Sequence, residues 1–267
     1  MATQGQSNSL LDFWKQHADF GFHPLDADFI KPDCVIDWSL EEAQAKASWF
    51  EKNRSEHKKI HKNLLPVPFS GNIREAIIFI LYGNPGLKIR DYKEEHTNAE
   101  YQKLRLRNLR GEVEGFPQFE DAAEKTDGGT YWRKALKRLI TDLAEKTRWS
   151  ETECQKILAK NLAVIEAGAY HSRSRPGSWV DELPSSLIAQ GFAQQELYER
   201  ANAGEILILV WRRCRFWALS ESQNVLIRSA KQARIPSLLK KERDEVVNKI
   251  LANEAGKPHA PADVLRS

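Results

Sequence analysis

The most constraining feature of this 267-residue chain is an apolar run that ends in a loop rich in glycine and proline. Residues 76–82 are seven consecutive apolar or aromatic side chains, too few for a typical helix and rich in isoleucine. Such a run is typical of a strand buried on both faces of a parallel sheet. The next four residues, Gly83-Asn84-Pro85-Gly86, fit neither a strand interior nor a helix interior. We therefore expect a central strand whose loop lies at the carboxyl edge of the sheet, where ligands bind in open α/β folds.

Asn84 is the side chain of this loop with hydrogen-bonding groups to offer. Gly83 and Gly86 allow a ligand to approach the backbone, and Pro85 stiffens the turn. A tight turn in which asparagine tolerates unusual backbone angles is an equally good interpretation of these four residues alone. The pattern leaves a catalytic role and a conformational role open for Asn84.

Three further apolar runs follow, at residues 161–167, 205–211 and 224–227. Helical patterns separate them, and two capping boxes begin at Ser39 and Ser150. Strands that alternate with helices predict an α/β fold, a three-layer α/β/α sandwich with a mainly parallel central sheet.

We expect three parts along the chain: an N-terminal helical extension over 1–65, an α/β domain over 66–255 and a flexible tail over 256–267. A hydrophobic content of 41%, with eight tryptophans, suffices for a substantial core. His57 and His61 lie four residues apart in the extension, and a solvated basic helical face is favoured there over a metal site.

Three expectations concern the helices beside the sheet. Thr130 should cap the clearest helix, directly after a turn at 127–129. A further amphipathic helix is expected over 187–203. Residues 91–110 are helix-compatible, and the basic side chains of this segment are expected on an exposed face. These basic residues are Lys103, Arg105, Arg107 and Arg110.

Charge and cysteine content restrict the class of protein. The net charge of +3 and the pI near 8.6 permit a polyanionic partner without demanding one. The three cysteines are widely separated and odd in number, so they indicate neither a disulfide framework nor an iron-sulfur site. No signal-peptide pattern and no apolar run near ~20 residues is present. We expect a cytoplasmic monomer without a membrane segment, metal, iron-sulfur cluster or other cofactor.

A second predicted strand end carries another polar loop, at residues 168–177. Tyr170 offers an aromatic face and His171 a titratable imidazole, and serine and arginine then alternate: Ser172, Arg173, Ser174 and Arg175. Such groups can hold a base and its phosphates. The alternative is a surface loop in which the histidine packs on Trp179.

Residues 83–87, Gly-Asn-Pro-Gly-Leu, resemble the first motif of the uracil-DNA glycosylase superfamily, which reads Gly-Ile-Asn-Pro-Gly-Leu in its mismatch-specific uracil and thymine branch. This chain has Tyr82-Gly83 where that motif has Gly-Ile, and the similarity in layout covers about 66–234. The resemblance implies an enzyme that flips a nucleotide out of DNA, hydrolyses its N-glycosidic bond and leaves an abasic site. By position, Asn84 would order the hydrolytic water.

The family's second motif, typically His-Pro-Ser, should follow the last strand, where this chain has Arg228-Ser229-Ala230-Lys231-Gln232. This departure removes the usual histidine, and Arg228 or His171 could supply positive charge to the departing base instead. The resemblance further implies two sets of contacts. Base contacts would come from Tyr82, Gly83, Pro85, Gly86, Tyr170 and Arg228, and phosphate contacts from Ser172, Arg173, Ser174, Arg175, Ser229 and Lys231.

The altered second motif suggests a diverged member of the superfamily. The overall pattern also resembles bacterial anti-phage DNA glycosylases that remove glucosylated hydroxymethylcytosine. A monofunctional DNA glycosylase that needs no metal is the leading expectation, since no lysine is placed convincingly for Schiff-base chemistry. The alternatives are a uracil or mismatch glycosylase of base-excision repair, a hydrolase of nucleosides or nucleotides, and an inactive nucleic-acid-binding module of the same fold.

Overall fold

The computed structural model describes residues 9–17 and 19–256. The strands of this part are β1 (Val35–Ile36), β2 (Ile60–His61), β3 (Phe69–Ser70), β4 (Ile78–Leu81), β5 (Leu162–Ile165), β6 (Leu207–Val210) and β7 (Val225–Ile227). Its helices are α1 (Ser9–Lys15), α2 (Pro24–Ala27), α3 (Leu40–Ala45), α4 (Ala47–Lys52), α5 (Arg90–Thr97), α6 (Ala99–Leu109), α7 (Asp127–Lys146), α8 (Glu151–Asn161), α9 (Pro184–Gly191), α10 (Tyr198–Asn202), α11 (Cys214–Trp217) and α12 (Lys240–Ala255). The expected tail lies, apart from Gly256, outside the described residues.

The central sheet has the strand order β3-β5-β4-β6-β7. Strands β4 to β7 are parallel, and the short edge strand β3 is antiparallel to β5. Leu81 at the end of β4 pairs with Ile165 of β5 and with Val210 of β6. The three strands therefore end at one level. The predicted parallel sheet, with residues 76–82 at its centre, is confirmed.

Side chains of β4 alternate between two cores, as strand geometry requires. Phe79 and Leu81 face a core that includes residues of α1, α6, α9 and α10, whereas Ile78 and Ile80 face residues of α7, α8 and α12. All four are buried. Helices thus cover both faces of the sheet, and the predicted three-layer α/β/α fold is confirmed.

Helix α7 begins earlier than expected. Its N-cap is Thr126, whose hydroxyl accepts a hydrogen bond from the backbone N–H of Gly129. The turn expected at 127–129 is wrong, because these residues form the first helical turn. A Cβ at position 129 would lie 1.9 Å from the carbonyl oxygen of Ala123, so only glycine fits this close approach.

Both predicted capping boxes are confirmed, but the helix after Ser39, which the sequence pattern extends to about 56–62, ends at Ala45 and is followed by α4. His57 and His61 follow it, and both are buried. The exposed basic face expected for them is wrong. Nε2 of His57 bonds the carbonyl oxygen of Phe50, and Nδ1 of His61 lies 2.8 Å from the hydroxyl of Tyr92. Burial lowers the pKa of His61 to about 3, so its imidazole is neutral.

Arg105, like His57 and His61, was expected on an exposed basic face and is buried instead. Its side chain is buried in α6, where it forms an ion pair with Glu95 and donates to the carbonyl oxygen of Leu65 over 2.7 Å. A buried guanidinium needs such partners, because desolvation without them is costly. Arg105 is therefore a buried structural residue near the sheet edge, and the solvated helical face expected for it is wrong.

The N-terminal extension contains the parallel pair β1 and β2 as well as helices, so it is not purely helical. Leu10, Leu11 and Trp14 of α1 are fully buried in the core shared with β4. Removing this helix would expose a substantial apolar area, and at about 25 cal/mol per Å² that loss would destabilise the whole domain.

Two helices near the C-terminus also differ from expectation. The helix expected over 187–203 starts at Pro184 and contains a π-helical turn, Phe192–Leu197. The sequence pattern predicts a closing helix over 237–252, and α12 begins and ends three residues later. No helix within the described residues is long and apolar enough to cross a membrane.

Candidate active site

A cavity of about 550 Å³ lies at the carboxyl ends of β4, β5 and β6. Residues 82–88 and 212–213 line it from the sheet edge, together with Glu166, His171 and residues 173–175 after β5, and residues of α5, α6 and α7 complete the wall. This volume lies in the range of pockets that bury a drug-sized ligand. The polar loops predicted after two strands therefore meet at one site, together with the end of a third strand.

Asn84 is held in one orientation by Ser172. Its side-chain nitrogen donates to the carbonyl oxygen of Ser172 and to the Ser172 hydroxyl, each over 3.0 Å. A carbonyl oxygen can only accept, so the nitrogen must be the atom that faces it. Oδ1 of Asn84 makes no hydrogen bond within the described residues and remains an acceptor at the cavity, which Asn84 lines. An acceptor fixed in this way can position a water molecule.

His171 supports the same loop. Its Nδ1 donates to the carbonyl oxygen of Gly86 over 2.8 Å, and Gly86 has a φ of 73°, a left-handed conformation that favours glycine. Burial and the nearby Arg105 lower the pKa of His171 to about 3. The imidazole is therefore neutral, and the suggestion that His171 supplies positive charge is wrong. The surface loop packed on Trp179 is excluded as well, because His171 is buried.

Aromatic rings form one wall of the cavity. Tyr82, Tyr131 and Trp132 line it, and the two tyrosine hydroxyls lie 2.8 Å apart. The ring of Trp132 lies 5.6 Å from that of Tyr82 and stacks on Trp211 behind it. Desolvation raises the pKa of both tyrosines, so they stay neutral. Flat neutral rings beside Asn84 suit a planar heterocyclic ligand.

Glu166 lies at the end of β5, in the wall beside Tyr82. The parallel register pairs Leu81 with Ile165, so the next residue of each strand follows on the same face of the sheet. Glu166 is 5% exposed, and its Oε2 has no hydrogen-bond partner among the described residues. Burial raises the pKa of this carboxyl group to about 8, against the opposing influence of Arg212. The group is therefore mostly protonated at neutral pH.

Two arginines follow β6. The Arg212 guanidinium lies 4.6 Å from the centre of the Tyr82 ring, and no carboxylate of the described residues forms an ion pair with it. Arg213 pairs with Asp181 and has a φ of 60°, which is strained for a residue with a side chain. Strain of this kind clusters at functional sites. Arg212 is thus the cation left free to meet a ligand in this wall.

Other charged groups surround the cavity as ion pairs. Arg173 pairs with Glu51 of the N-terminal extension, and Arg175 pairs with Asp181 over 3.2 Å. The backbone N–H of Ser174 donates to the carbonyl oxygen of His57. Arg173, Ser174 and Arg175 all line the cavity. Three of the four residues predicted to contact phosphates after β5 therefore line the same cavity as Asn84. Ser172 is fully buried and orients Asn84 instead.

Comparison with family models, with curated proteins and with solved structures found no match for this chain. Within the described residues, no group of three or more His, Cys, Asp or Glu side chains could hold a metal ion. Cys34, Cys154 and Cys214 are free. The geometry of the cavity and the motif of residues 83–87 are the features that indicate what this site does.

Tyr170 does not reach the cavity, and its predicted contact with a base is wrong. The residue is 3% exposed, and its hydroxyl donates to Asp26 over 2.5 Å and accepts from the backbone of His23. Asp26 also accepts from the backbone N–H of Ser185. Tyr170 thus ties the N-terminal extension to the core.

Arg228 is also a structural residue. Both oxygens of Glu242 accept from its guanidinium, over 2.7 and 2.6 Å, and the carbonyl oxygens of Ile235 and Ser237 each accept one further hydrogen. The guanidinium stacks on Trp211, 4.1 Å from the ring centre. Arg228 uses four of its five N–H donors within the protein, is 2% exposed and does not line the cavity, so the predicted base contact is wrong.

The turn after β7 lies away from the cavity wall. Ser229 accepts from the backbone N–H of Gln232, and Lys231 is exposed. Neither residue lines the cavity. A phosphate contact by Ser229 or Lys231 would therefore lie on the outer surface, apart from the Asn84 site.

Sequence reasoning missed Glu166, Arg212 and Tyr131 as site residues. Glu166 is a charged residue inside an otherwise apolar run, and a charge at the end of a buried strand is a usable signal. Arg212 sits at the end of the next strand and could be found in the same way. Tyr131 comes from a helix distant in sequence, and no local pattern places it here.

Proposed function

We propose that this protein is a DNA glycosylase, which hydrolyses the N-glycosidic bond of a flipped-out nucleotide and leaves an abasic site. The observation that carries the proposal is the fixed acceptor of Asn84, set by Ser172 beside an aromatic wall at the carboxyl edge of the sheet. The motif of residues 83–87 supports it, because an asparagine at this position resembles the water-ordering residue of the uracil-DNA glycosylase superfamily.

Each part of the cavity has a role in this reaction. Oδ1 of Asn84 accepts a hydrogen bond from water and orients it toward C1′ of the deoxyribose. A neutral amide is a weak base, so the rate must come mainly from stabilising the separating charges. The bond between C1′ and the base breaks with its electron pair moving into the base, while the water oxygen bonds to C1′. Tyr82 and Tyr131 supply aromatic surface for the flipped base.

The size of the cavity supports a large base. A volume of about 550 Å³ exceeds what a single unmodified pyrimidine ring fills. We propose glucosylated hydroxymethylcytosine as the substrate, since its hexose requires additional space beyond the ring. Excision of this phage base would make the protein an anti-phage defence enzyme, which acts on DNA in the cytoplasm as a monomer.

The test is base release from DNA duplexes and single strands that carry uracil, a thymine mismatch, hydroxymethylcytosine or glucosylated hydroxymethylcytosine. Freed bases are identified by mass spectrometry and abasic sites by alkali cleavage. The parent protein should release glucosylated hydroxymethylcytosine, and Asn84→Ala should lower the rate by at least about 100-fold with little change in DNA affinity.

Asn202→Ala is the matched control, because Asn202 is exposed at the end of α10 and does not line the cavity. This variant should retain the parent rate. Release of uracil alone would overturn the substrate assignment while keeping the reaction. Release of no base from any of these DNAs by the parent protein would overturn the glycosylase proposal for these bases.

A further inference from the structure

Glu166 differs from the other buried carboxyl groups of the described residues. Asp26 accepts from Tyr170 and Ser185, Glu95 accepts from Leu65 and Arg105, and Glu242 accepts from Arg228. Glu166 makes no hydrogen bond to another described residue, and its Oε2 is buried. A buried polar group without a partner is costly, so its retention needs an explanation.

The location of Glu166 points to a ligand. It lines the cavity that Asn84 lines, at the end of the strand adjacent to β4. Its neighbours are the neutral hydroxyls of Tyr82 and Tyr131 and the cationic Arg212. A flat ligand on the aromatic wall would present its edge to this carboxyl group, with Asn84 on the side of the sugar.

We propose that Glu166, as a neutral carboxylic acid, pairs with a base edge that carries a ring nitrogen beside an exocyclic amine, and gives its proton to that nitrogen as the glycosidic bond breaks. The inference rests on the proposed glycosylase function and narrows it to amino-substituted bases of the cytosine type. Glu166 is then a catalytic residue as well as the residue that determines specificity.

The pairing follows from the donors and acceptors of both groups. A carboxylic acid offers one O–H donor and one carbonyl acceptor. The cytosine edge offers N3 as an acceptor and the N4 amine as a donor, so the two groups form two parallel hydrogen bonds. Uracil carries a hydrogen on N3 and no exocyclic amine. Glu166 cannot give its proton to that nitrogen of uracil.

The proton transfer also balances the reaction. As the bond between C1′ and N1 breaks, its electron pair moves into the ring, and the proton from Glu166 at N3 lets the base leave neutral. The carboxylate that remains faces Arg212, which stabilises its charge. Water adds its oxygen to C1′ and loses a proton to solvent, and solvent then reprotonates Glu166. Cytosine-type anions are poor leaving groups, so protonation matters most for them.

The raised pKa of Glu166 supports its role as the general acid. Burial raises its pKa to about 8, so the acid form dominates at physiological pH, and general acids of this kind contribute about 10²–10⁴-fold. Tyr82 and Tyr131 remain neutral there. Of the other groups that line the cavity, burial raises the pKa of Asp91 to about 6, which affects only the acidic side of a pH profile.

The experiment measures single-turnover release of glucosylated hydroxymethylcytosine between pH 5 and 10. The parent rate should fall above about pH 8 as Glu166 loses its proton. Glu166→Gln keeps the shape and both hydrogen bonds but has no acid proton, so its rate should be about 100-fold lower and flat in this alkaline range. Affinity for DNA with a non-cleavable 2′-fluoro nucleotide should change less than about 5-fold.

Arg212→Met supplies an independent variant, because removing this cation should move the alkaline fall of the rate to higher pH. Glu221→Gln, an exposed matched substitution, should behave as the parent protein does. Parent-like rates and pH profile for Glu166→Gln would overturn this inference while leaving the glycosylase function intact. Absence of base release by the parent protein from every DNA would overturn both proposals together.

Discussion

Two arginine–glutamate arrangements lie at the carboxyl edge of the same sheet and differ in how their hydrogen bonds are used. Arg228, after β7, gives its guanidinium hydrogens to both oxygens of Glu242 and to two carbonyl groups. Arg212, after β6, lies near Glu166, yet Nε of Arg212 and Oε2 of Glu166 have no partner among the described residues. The first arrangement is complete without a ligand, and the second is not.

The Arg228–Glu242 arrangement contributes to stability, whereas the Arg212–Glu166 arrangement is available to a ligand. A satisfied buried ion pair holds α12 against β7 and offers nothing to a substrate, although its position resembles that of a family motif. An unsatisfied pair lowers the stability of the protein alone and provides binding free energy when a ligand completes it. Each site places an arginine near a buried glutamate, so hydrogen-bond satisfaction is the property that distinguishes them.

The largest effect is expected from Arg228→Met. This change leaves Glu242 buried without its partner, and the free energy of unfolding should fall by about 3–5 kcal/mol. Urea denaturation measures the change. The exposed Arg234→Met should alter stability by less than about 0.5 kcal/mol. A loss from Arg228→Met as small as that of Arg234→Met would mean that the two arrangements do not differ in this way.

Glu166→Gln should act on stability with the opposite sign. The pKa of Glu166 is about 8 in the folded state and near ~4.3 in the unfolded state. Ionisation of Glu166 therefore costs no stability below about pH 4, and the loss of stability grows as the pH rises toward 8. The glutamine variant should therefore gain stability over the parent protein across this range, by roughly 2–4 kcal/mol. Denaturation at pH 5 and pH 8 tests this, and an equal difference at both pH values would contradict the raised pKa.

Ser172→Ala should have a smaller effect, confined to turnover. Asn84 would lose the hydroxyl acceptor but keep the carbonyl acceptor of residue 172. The single-turnover rate should fall roughly 5- to 10-fold, the equivalent of one hydrogen bond of about 1 kcal/mol. The exposed Ser178→Ala is the control. An unchanged rate in Ser172→Ala would show that this hydroxyl does not position Asn84.

The smallest effect concerns the exposed ion pair at the rim, between Arg173 and Glu51. Glu51→Gln should free the arginine for a phosphate and tighten DNA binding roughly 2- to 5-fold, whereas Arg173→Gln should weaken it by a similar factor. Fluorescence anisotropy at several salt concentrations measures both. If Arg173 contacts a phosphate, its substitution reduces the salt slope by about 1. Identical binding by both variants would exclude this contact.

The sequence predicts the fold better than the site, and the reason is physical. Buried parallel strands are continuous apolar runs, so the four parallel strands were found within a few residues. Hydrogen bonds between residues far apart in the sequence produce no local sequence pattern. Glu95 and Arg105 read as part of a polar helical segment, and only the folded chain shows that they form a buried ion pair.

Within the site, the sequence predicts residues that belong to strand-end loops. Asn84 and His171 are predicted as site residues because each lies in a loop directly after an apolar run, and both line the cavity. Tyr170 was misassigned because its partner, Asp26, comes from the N-terminal extension. Arg228 was misassigned because the α12 residue Glu242 satisfies it, and motif position alone carries no information about that contact.

The most direct test of the central claim is DNA binding with two abasic analogues that differ in charge. A pyrrolidine analogue carries a cation like that of the oxocarbenium transition state, and a tetrahydrofuran analogue has nearly the same shape without the charge. A glycosylase site at Asn84 should bind the pyrrolidine DNA at least about 100-fold more tightly, and Asn84→Ala should reduce that preference. Equal affinity for the two DNAs would contradict glycosidic bond cleavage at this site, whatever base is excised.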